Sequence, residues 1–295
     1  MSAVPRPVVV GVDGSPGGRT ALEWAWAAAA RRGAPLRVVS AFPVDDYWSD
    51  VLLLDEGRVE ALRSATAARL TALVAEVRAA AGDPEVQVEE RVVAGAPAEH
   101  LVGLSEDAGL LVVGSRGRGG VRSTLLGSVA LHCATSARCP VVVVHPGAAV
   151  LSPPSGERSS PPRVVVGVDD SDTTRAALAH AVAFGDELGA EVEAVLAVQP
   201  PVRWSEVDVV APLPAAQERA LARARDMVAG LPAGSRVSVL AAEGPAVAVL
   251  TERSEGAALL VVGSRSRSRL PGMLLGSVAL HCVVHGRCPV MVVHS

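Results

Sequence analysis

Residues 110–128 read LLVVGSRGRGGVRSTLLGS. Leu110 to Val113 is a short apolar run of the kind that forms a strand buried on both faces, and it stops at Gly114. Small residues and arginines follow from Ser115 to Thr124, and an apolar run with helical character begins near Leu125. The expectation is strand, loop, helix start. Such a corner suits an anion. Glycines permit positive φ and remove Cβ atoms that would keep a ligand away. Successive backbone N–H groups in a loop can form an anion-binding concavity. A helix start adds unpaired N–H groups and the positive end of its dipole. Gly127 opens the first turn, the Ser128 hydroxyl can donate to a phosphate oxygen, and Arg116, Arg118 and Arg122 bring positive charge.

The pattern occurs twice. Residues 259–277 read LLVVGSRSRSRLPGMLLGS, and the interval from Gly114 to Gly127 equals that from Gly263 to Gly276. Upstream of the first copy, Pro7–Asp13 is expected as a strand, Pro16–Arg32 as a helix capped by Ser15 and stopped at Gly33, and Leu36–Phe42 as a strand. Pro43–Asp55 is irregular, acidic and aromatic, and its segment Asp45 to Trp48 is either a cover for a ligand or a plain surface loop. Helical periodicity runs over Glu56–Ala81, then an alternating strand over Val86–Val93 that reads as having one wetter face or as an edge, and a short helix over Pro97–Asp107. A helix from about Leu125 to Ser136 and a strand Pro140–His145 close the first repeat.

A segment dense in Pro, Ser and Gly follows, after which the order restarts. Strands are expected at Arg163–Asp169, Glu191–Val198, Arg236–Ala241, Leu259–Gly263 and Pro289–His294. Helices are expected at Thr173–Leu188, Pro214–Ala229, Pro245–Glu255 and Met273–His285. This gives domains at 1–146 and 163–295 with a linker at 147–162. Strands alternating with helices imply right-handed crossovers and a parallel sheet, with ligands beyond the carboxyl ends of the strands. Asp13, Ala41 and Gly114 all fall at such ends.

Composition narrows the chemistry. The chain has 295 residues, 49% of them hydrophobic, enough for a core in each half. No lysine is present, which removes Schiff-base, Walker-type and kinase-strand lysines. The net charge of −4 carries no nucleic-acid signature. Apolar runs are too short and too interrupted to span a bilayer. The N-terminal MSAVPRPVVV runs into a strand without a signal-peptide pattern, so a cytoplasmic location is expected. Cys133, Cys139, Cys282 and Cys288 fall at matching places and are expected as reduced core thiols. With His132, His145, His281 and His294 they match no common zinc spacing. His132 and His281 read as packing or interface residues. Trp24 and Trp26, two apart on a helix, cannot share a face, and core packing is expected.

These residues resemble the universal stress protein family in its tandem-domain form. The family's nucleotide-binding members carry Gly-x2-Gly-x9-Gly-(Ser/Thr) before the last helix, which Gly114, Gly117, Gly127 and Ser128 match. Val10-Gly11-Val12-Asp13-Gly14-Ser15 matches the first-strand signature, and Cys139-Pro140-Val141 and Cys288-Pro289-Val290 match the opening of the last strand. The resemblance covers nearly the whole chain outside the linker. It implies an α/β fold of two tandem Rossmann-like, adenine-nucleotide alpha-hydrolase-like domains. Each would be a five-stranded parallel sheet of order 3-2-1-4-5, flanked by helices.

The resemblance also implies ATP at the strand ends. Gly11 and Asp13 would lie near the ribose and the metal-bearing phosphates, and Ala41 would offer backbone contacts to adenine. Gly114, Ser115, Arg116, Gly117, Arg118, Gly119 and Gly120 would wrap ribose and phosphates, and Gly127, Ser128 and Val129 would hold the phosphate tail. Counterparts in the second repeat are Gly167, Asp169, Val198, Gly263, Ser264, Arg265, Ser266, Arg267, Gly276, Ser277 and Val278. Mg2+ would be served indirectly by Asp13 and Asp169. The second repeat departs from the motif. Ser266 replaces the second glycine, Ser268 and Arg269 replace Gly119 and Gly120, and Asp170 replaces Gly14. Positive φ costs serine roughly 1 kcal/mol, and Asp170 would repel phosphate if it faced the site. The first repeat is expected to bind ATP, and the second to bind it despite these changes.

The function this implies is an ATP-binding regulator of stress response, read by an unidentified protein partner, with no nucleic-acid or membrane role. A homodimer follows from the resemblance, and an intrachain pseudo-dimer from the free edges of the last strands. The alternative is a slow ATP hydrolase, for which no positioned base is visible. A phospho-acceptor receiver needs a late-strand lysine that this chain lacks. A dinucleotide-binding dehydrogenase needs Gly-x-Gly-x2-Gly after the first strand, where GVDGSPGG stands. For Asp13 and Asp169 the plainer role is to cap the turn that follows. Their repetition at a strand end favours a ligand.

Overall fold

The computed structural model describes residues 5–42, 56–82, 85–117, 126–147, 161–169, 171–198, 213–230, 237–264 and 275–294. The chain divides into a first unit, Met1–Pro153, and a second, Pro154–Ser295. The first holds β1 (Val8–Gly11), α1 (Pro16–Arg32), β2 (Leu36–Phe42), α2 (Glu56–Ala81), β3 (Val88–Ala94), α3 (Pro97–Leu104), β4 (Leu110–Gly114), α4 (Ser128–Ser136) and β5 (Val141–Val144). The strands lie in the order β3-β2-β1-β4-β5, every pairing parallel.

The valine runs explain the middle of this sheet. Val8, Val9, Val10, Leu110, Leu111, Val112 and Val141 to Val144 have no exposed surface. Burying each such side chain contributes about 1.5–3 kcal/mol. The alternating strand is the edge, as its pattern suggests: β3 exposes Glu89 and Glu90. Arg37 and Arg91 pair with Glu89, and the bond from Arg37 holds its carboxyl below the usual carboxylate range.

Helix α1 starts on Pro16, with Ser15 Oγ accepting from Gly18 N at 3.1 Å, and stops at Gly33 with φ +56°. Trp24 and Trp26 are both buried although two residues apart. The sheet covers one side of α1 and α2 another, and the Arg78 guanidinium of α2 lies 5.6 Å from the Trp26 ring.

The second unit repeats the arrangement with β6 (Arg163–Gly167), α5 (Asp172–Leu188), β7 (Glu191–Val198), α6 (Leu213–Ala229), β8 (Val237–Glu243), α7 (Ala246–Arg253), β9 (Leu259–Gly263), α8 (Ser277–His285) and β10 (Val290–Val293). Its parallel order is β8-β7-β6-β9-β10.

Several boundaries differ from the sequence reading. Helix α4 begins at Ser128 rather than near Leu125, and α8 at Ser277 rather than Met273, because Gly127 and Gly276 take extended N-cap geometry at ψ 150° and 152°. Leu126 and Leu275, just before them, continue the apolar pattern without continuing the helix. Strand β1 ends at Gly11. Val12 N still donates to Val39 O at 2.9 Å, but Asp13 has turned into the following loop. Helix α3 ends at Leu104, where buried Ser105 accepts from Arg138 N and donates to Val102 O.

Candidate functional site

At the end of β1 the chain turns through Gly14, at φ +76°. Asp13 Oδ1 accepts from Ser15 N at 2.9 Å, so the turn-capping role is real. The other carboxylate oxygen faces elsewhere: a Cβ on Gly117 would stand 2.5 Å from Asp13 Oδ2. The end of β4 is packed equally hard against the start of α1. A Cβ on Gly17 would meet Arg116 O at 2.6 Å, and one on Gly114 would meet Gly17 O at 2.8 Å. Backbone therefore lies against backbone, and the structure brings Asp13, Gly114, Arg116 and Gly117 into one corner. Gly117 is absent from the glycines with positive φ. Of the two reasons the sequence offered for a glycine here, its need for a missing side chain comes from close approach, of a carboxylate, rather than from positive φ.

Ser115 ties that corner to the last helix. Its N–H donates to Val144 O and its carbonyl accepts from Gly127 N, each at 2.8 Å. Gly127 caps α4 without a side-chain hydrogen bond, leaving first-turn N–H groups for an external acceptor. Ser128 is exposed there and Val129 half-buried. The Ser115 hydroxyl is buried and has no hydrogen-bond partner among the described residues, a condition that costs about 1–3 kcal/mol.

Beside the corner lies a cleft. Val12, Asp13 and Ala41 from the strand ends form one wall, and Thr66, Arg69 and Leu70 of α2 form the other. Thr66 is 5% exposed and its Oγ1 accepts from Arg69 Nη2 at 3.2 Å. The α2 wall was missed in the sequence reading. Its signal is Thr66 itself, a polar residue interrupting the apolar stripe of Leu62, Leu70 and Leu73.

Two of the expected positions serve packing. A Cβ on Gly11 would sit 2.7 Å from Leu101 of α3, and one on Gly167 would sit 2.9 Å from Leu250 of α7. Both glycines make room for a helix. Arg116 is exposed. Arg118, Gly119, Gly120, Arg265, Ser266 and Arg267 lie outside the described residues, as do Arg122, Ser268, Arg269, Asp170 and the stretch 43–55.

The second unit keeps one half of the corner and alters the other. Ser264 N donates to Val293 O at 2.8 Å and Gly276 N to Ser264 O at 2.7 Å, reproducing the tie to the last helix. Gly276 likewise caps α8 without a side-chain bond; Ser277 is exposed and Val278 half-buried. Gly263 ends β9 and Val198 ends β7. The aspartate differs. Thr173 and Thr174, both buried, stand where the first unit has Gly17 and Gly18. Asp169 Oδ1 accepts from Ser171 N at 2.9 Å, from Ser171 Oγ, and from Thr174 Oγ1 at 2.7 Å. One carboxylate oxygen is thus enclosed by its own turn.

Among the described residues no group of three or more His, Cys, Asp or Glu is placed to hold a metal ion. Burial pushes the four thiols up to about 12, which leaves them protonated and unsuited to ligate. No helix among the described residues is long and apolar enough to cross a membrane.

The sequence profile of the Universal stress protein family matches residues 5–145 and 162–294. A universal stress protein of Mycobacterium bovis is 36% identical over 307 residues, covering 97% of this chain and 96% of the relative. One from Mycobacterium tuberculosis is 35% identical over 305 residues, covering 97% and 95%. The crystal structure of a universal stress protein from Archaeoglobus fulgidus shares the fold, with a TM-score of 0.67 at 21% identity over 98% of this chain and 96% of that one.

Proposed function

The chain belongs to the universal stress protein family, whose profile spans both of its repeats, and from that premise we propose that the first unit binds ATP and serves as a nucleotide-dependent regulator. The observation that carries this reading is the corner where Gly117 lies against Asp13 Oδ2, next to a helix start with no side-chain cap. Adenine would enter the cleft between the strand ends and α2, against Val12, Ala41 and Leu70. The phosphates would lie toward Gly117 and the first-turn N–H groups of α4, where the helix dipole favours negative charge. The buried Ser115 hydroxyl supports a polar ligand nearby.

Asp13 would be the protein carboxylate nearest the phosphates, and Mg2+ is ordinarily held by one or two carboxylates together with substrate phosphates. The second unit would bind nucleotide more weakly, since Asp169 is engaged by its own turn. A partner would read the nucleotide through whichever conformation it favours.

Purified protein tests this. Nucleotide released by heat denaturation is counted per chain, and stripped protein is titrated with Mg-ATP. Retained ATP that persists for hours supports a binding protein. Rapid conversion to ADP would replace the regulatory reading with that of a hydrolase. No nucleotide on extraction and none taken up on titration would refute both.

A further inference from the structure

The last helices of the two units begin alike and end differently. Residues 128–133 and 277–282 both read SVALHC, after which α4 continues Ala-Thr-Ser and α8 continues Val-Val-His. His285 therefore stands where α4 has Ser136, one helical turn beyond His281. Side chains four apart on a helix are surface neighbours, and here the two ring centroids lie 4.2 Å apart with the planes tilted by 36°. His285 is exposed and His281 half-buried. Among the described residues neither ring takes part in a hydrogen bond or an ion pair.

We propose that His281 and His285 form a two-imidazole site for a divalent transition-metal ion on the surface of α8, with water completing the coordination. A helix that presents histidines at this spacing aims both rings at one point, the feature that helical His-x3-His zinc sites exploit. Metal–nitrogen bonds of about 2.0–2.1 Å need two ligating nitrogens about 3 Å apart. Rings already 4.2 Å apart between centroids reach that by rotation about their own side-chain bonds. Imidazole selects copper, nickel and zinc over magnesium and calcium, with copper(II) the tightest of the divalent ions.

The ligand must be neutral, and burial, then the neighbouring His285, hold His281 below the usual imidazole range. Cys282, between the two histidines in sequence, does not compete, since it has no exposed surface and its thiol is pushed up to about 12. His281 and His285 lie beyond the first turn of α8, which carries Ser277 and Val278. Helix α4 is its built-in control, because His132 there has no histidine one turn later.

The experiment is calorimetric titration of nucleotide-free, full-length protein with Ni2+ and Cu2+ at neutral pH in a non-chelating buffer, together with the electron paramagnetic resonance spectrum of the Cu2+ form. The expected result is one high-affinity equivalent, bound more tightly as Cu2+ than as Ni2+, with hyperfine coupling to two imidazole nitrogens. His285→Ser, which gives α8 the residue α4 carries, should weaken it by about tenfold or more, at least what the loss of an outer-shell partner costs a metal site. His132→Gln should bind as the parent does. Thermal melting confirms that both variants are folded; both positions are exposed, and serine already occupies the matching place in α4. Unchanged binding in His285→Ser, a spectrum lacking a pair of imidazoles, or an equal loss in His132→Gln would each overturn the proposal.

Discussion

At the scale of single residues, Gly117 gives the sharpest expectation. A Cβ there would stand 2.5 Å from Asp13 Oδ2, so Gly117→Ala must push the loop and the carboxylate apart. Neither group is in the core, and global stability should change little. ATP affinity should fall by about tenfold, the equivalent of about 1.4 kcal/mol, measured by titration calorimetry. An unchanged Kd with an unchanged melting temperature would mean that this contact is no part of the site. The motif glycines were legible in the sequence, but the reason for them was not. Spacing cannot tell a glycine that takes positive φ from one that lets a remote carboxylate approach. Gly17 escaped notice for the same cause: its neighbour is Arg116 O, nearly one hundred positions away in the chain. Gly11 shows a different need: it is a signature residue whose missing side chain accommodates Leu101.

At the scale of elements, the strands were legible because valine runs bounded by proline or glycine admit few other readings. The starts of α4 and α8 were not, because leucines at helical spacing outweighed the extended geometry that Gly127 and Gly276 take. The last helix and last strand of each unit also carry the thiols, Cys133 with Cys139 and Cys282 with Cys288. Burial pushes all four from an ordinary 9.0 up to about 12. In the unfolded chain they release their protons first. Below pH 9 both states are protonated and the thiols leave stability unaffected by pH. Between about pH 9 and 12 the folded state binds more protons, so stability falls as pH rises, by up to about 1.4 kcal/mol per unit for each thiol. The chain has no lysine and one tyrosine, so little else titrates in that window. Melting temperatures should hold up to pH 9 and decline steeply above it, and replacing the four cysteines by alanine should flatten the decline. A decline equally steep in that variant would assign the alkaline loss to other groups.

At the scale of the whole molecule, duplication makes each unit the control for the other. Both tie the end of the fourth strand to the last helix through a serine carbonyl and a glycine N–H, at 2.8 Å and 2.7 Å. They part at the aspartate. Asp13 Oδ1 accepts from Ser15 N, and Asp169 Oδ1 accepts from Ser171 N and also from the hydroxyls of Ser171 and Thr174, residues whose first-unit counterparts are Ser15 and Gly18. A carboxylate oxygen already served by three donors from its own turn gains little from a ribose hydroxyl or a hydrated Mg2+, because hydrogen bonds exchanged for others contribute little net. Titration of the stripped chain with Mg-ATP should therefore show one tight equivalent, lost in Asp13→Asn, and a second weaker by about tenfold or more. Giving the second unit the first unit's residues, Thr173→Gly with Thr174→Gly, takes one donor from Asp169 and should tighten the weak equivalent without touching the strong one. Two equal sites in the parent would show that the threonines leave Asp169 as available as Asp13. A weak site unmoved by the double change would place the difference in the residues that follow β9 in sequence, where Ser266, Ser268 and Arg269 replace glycines.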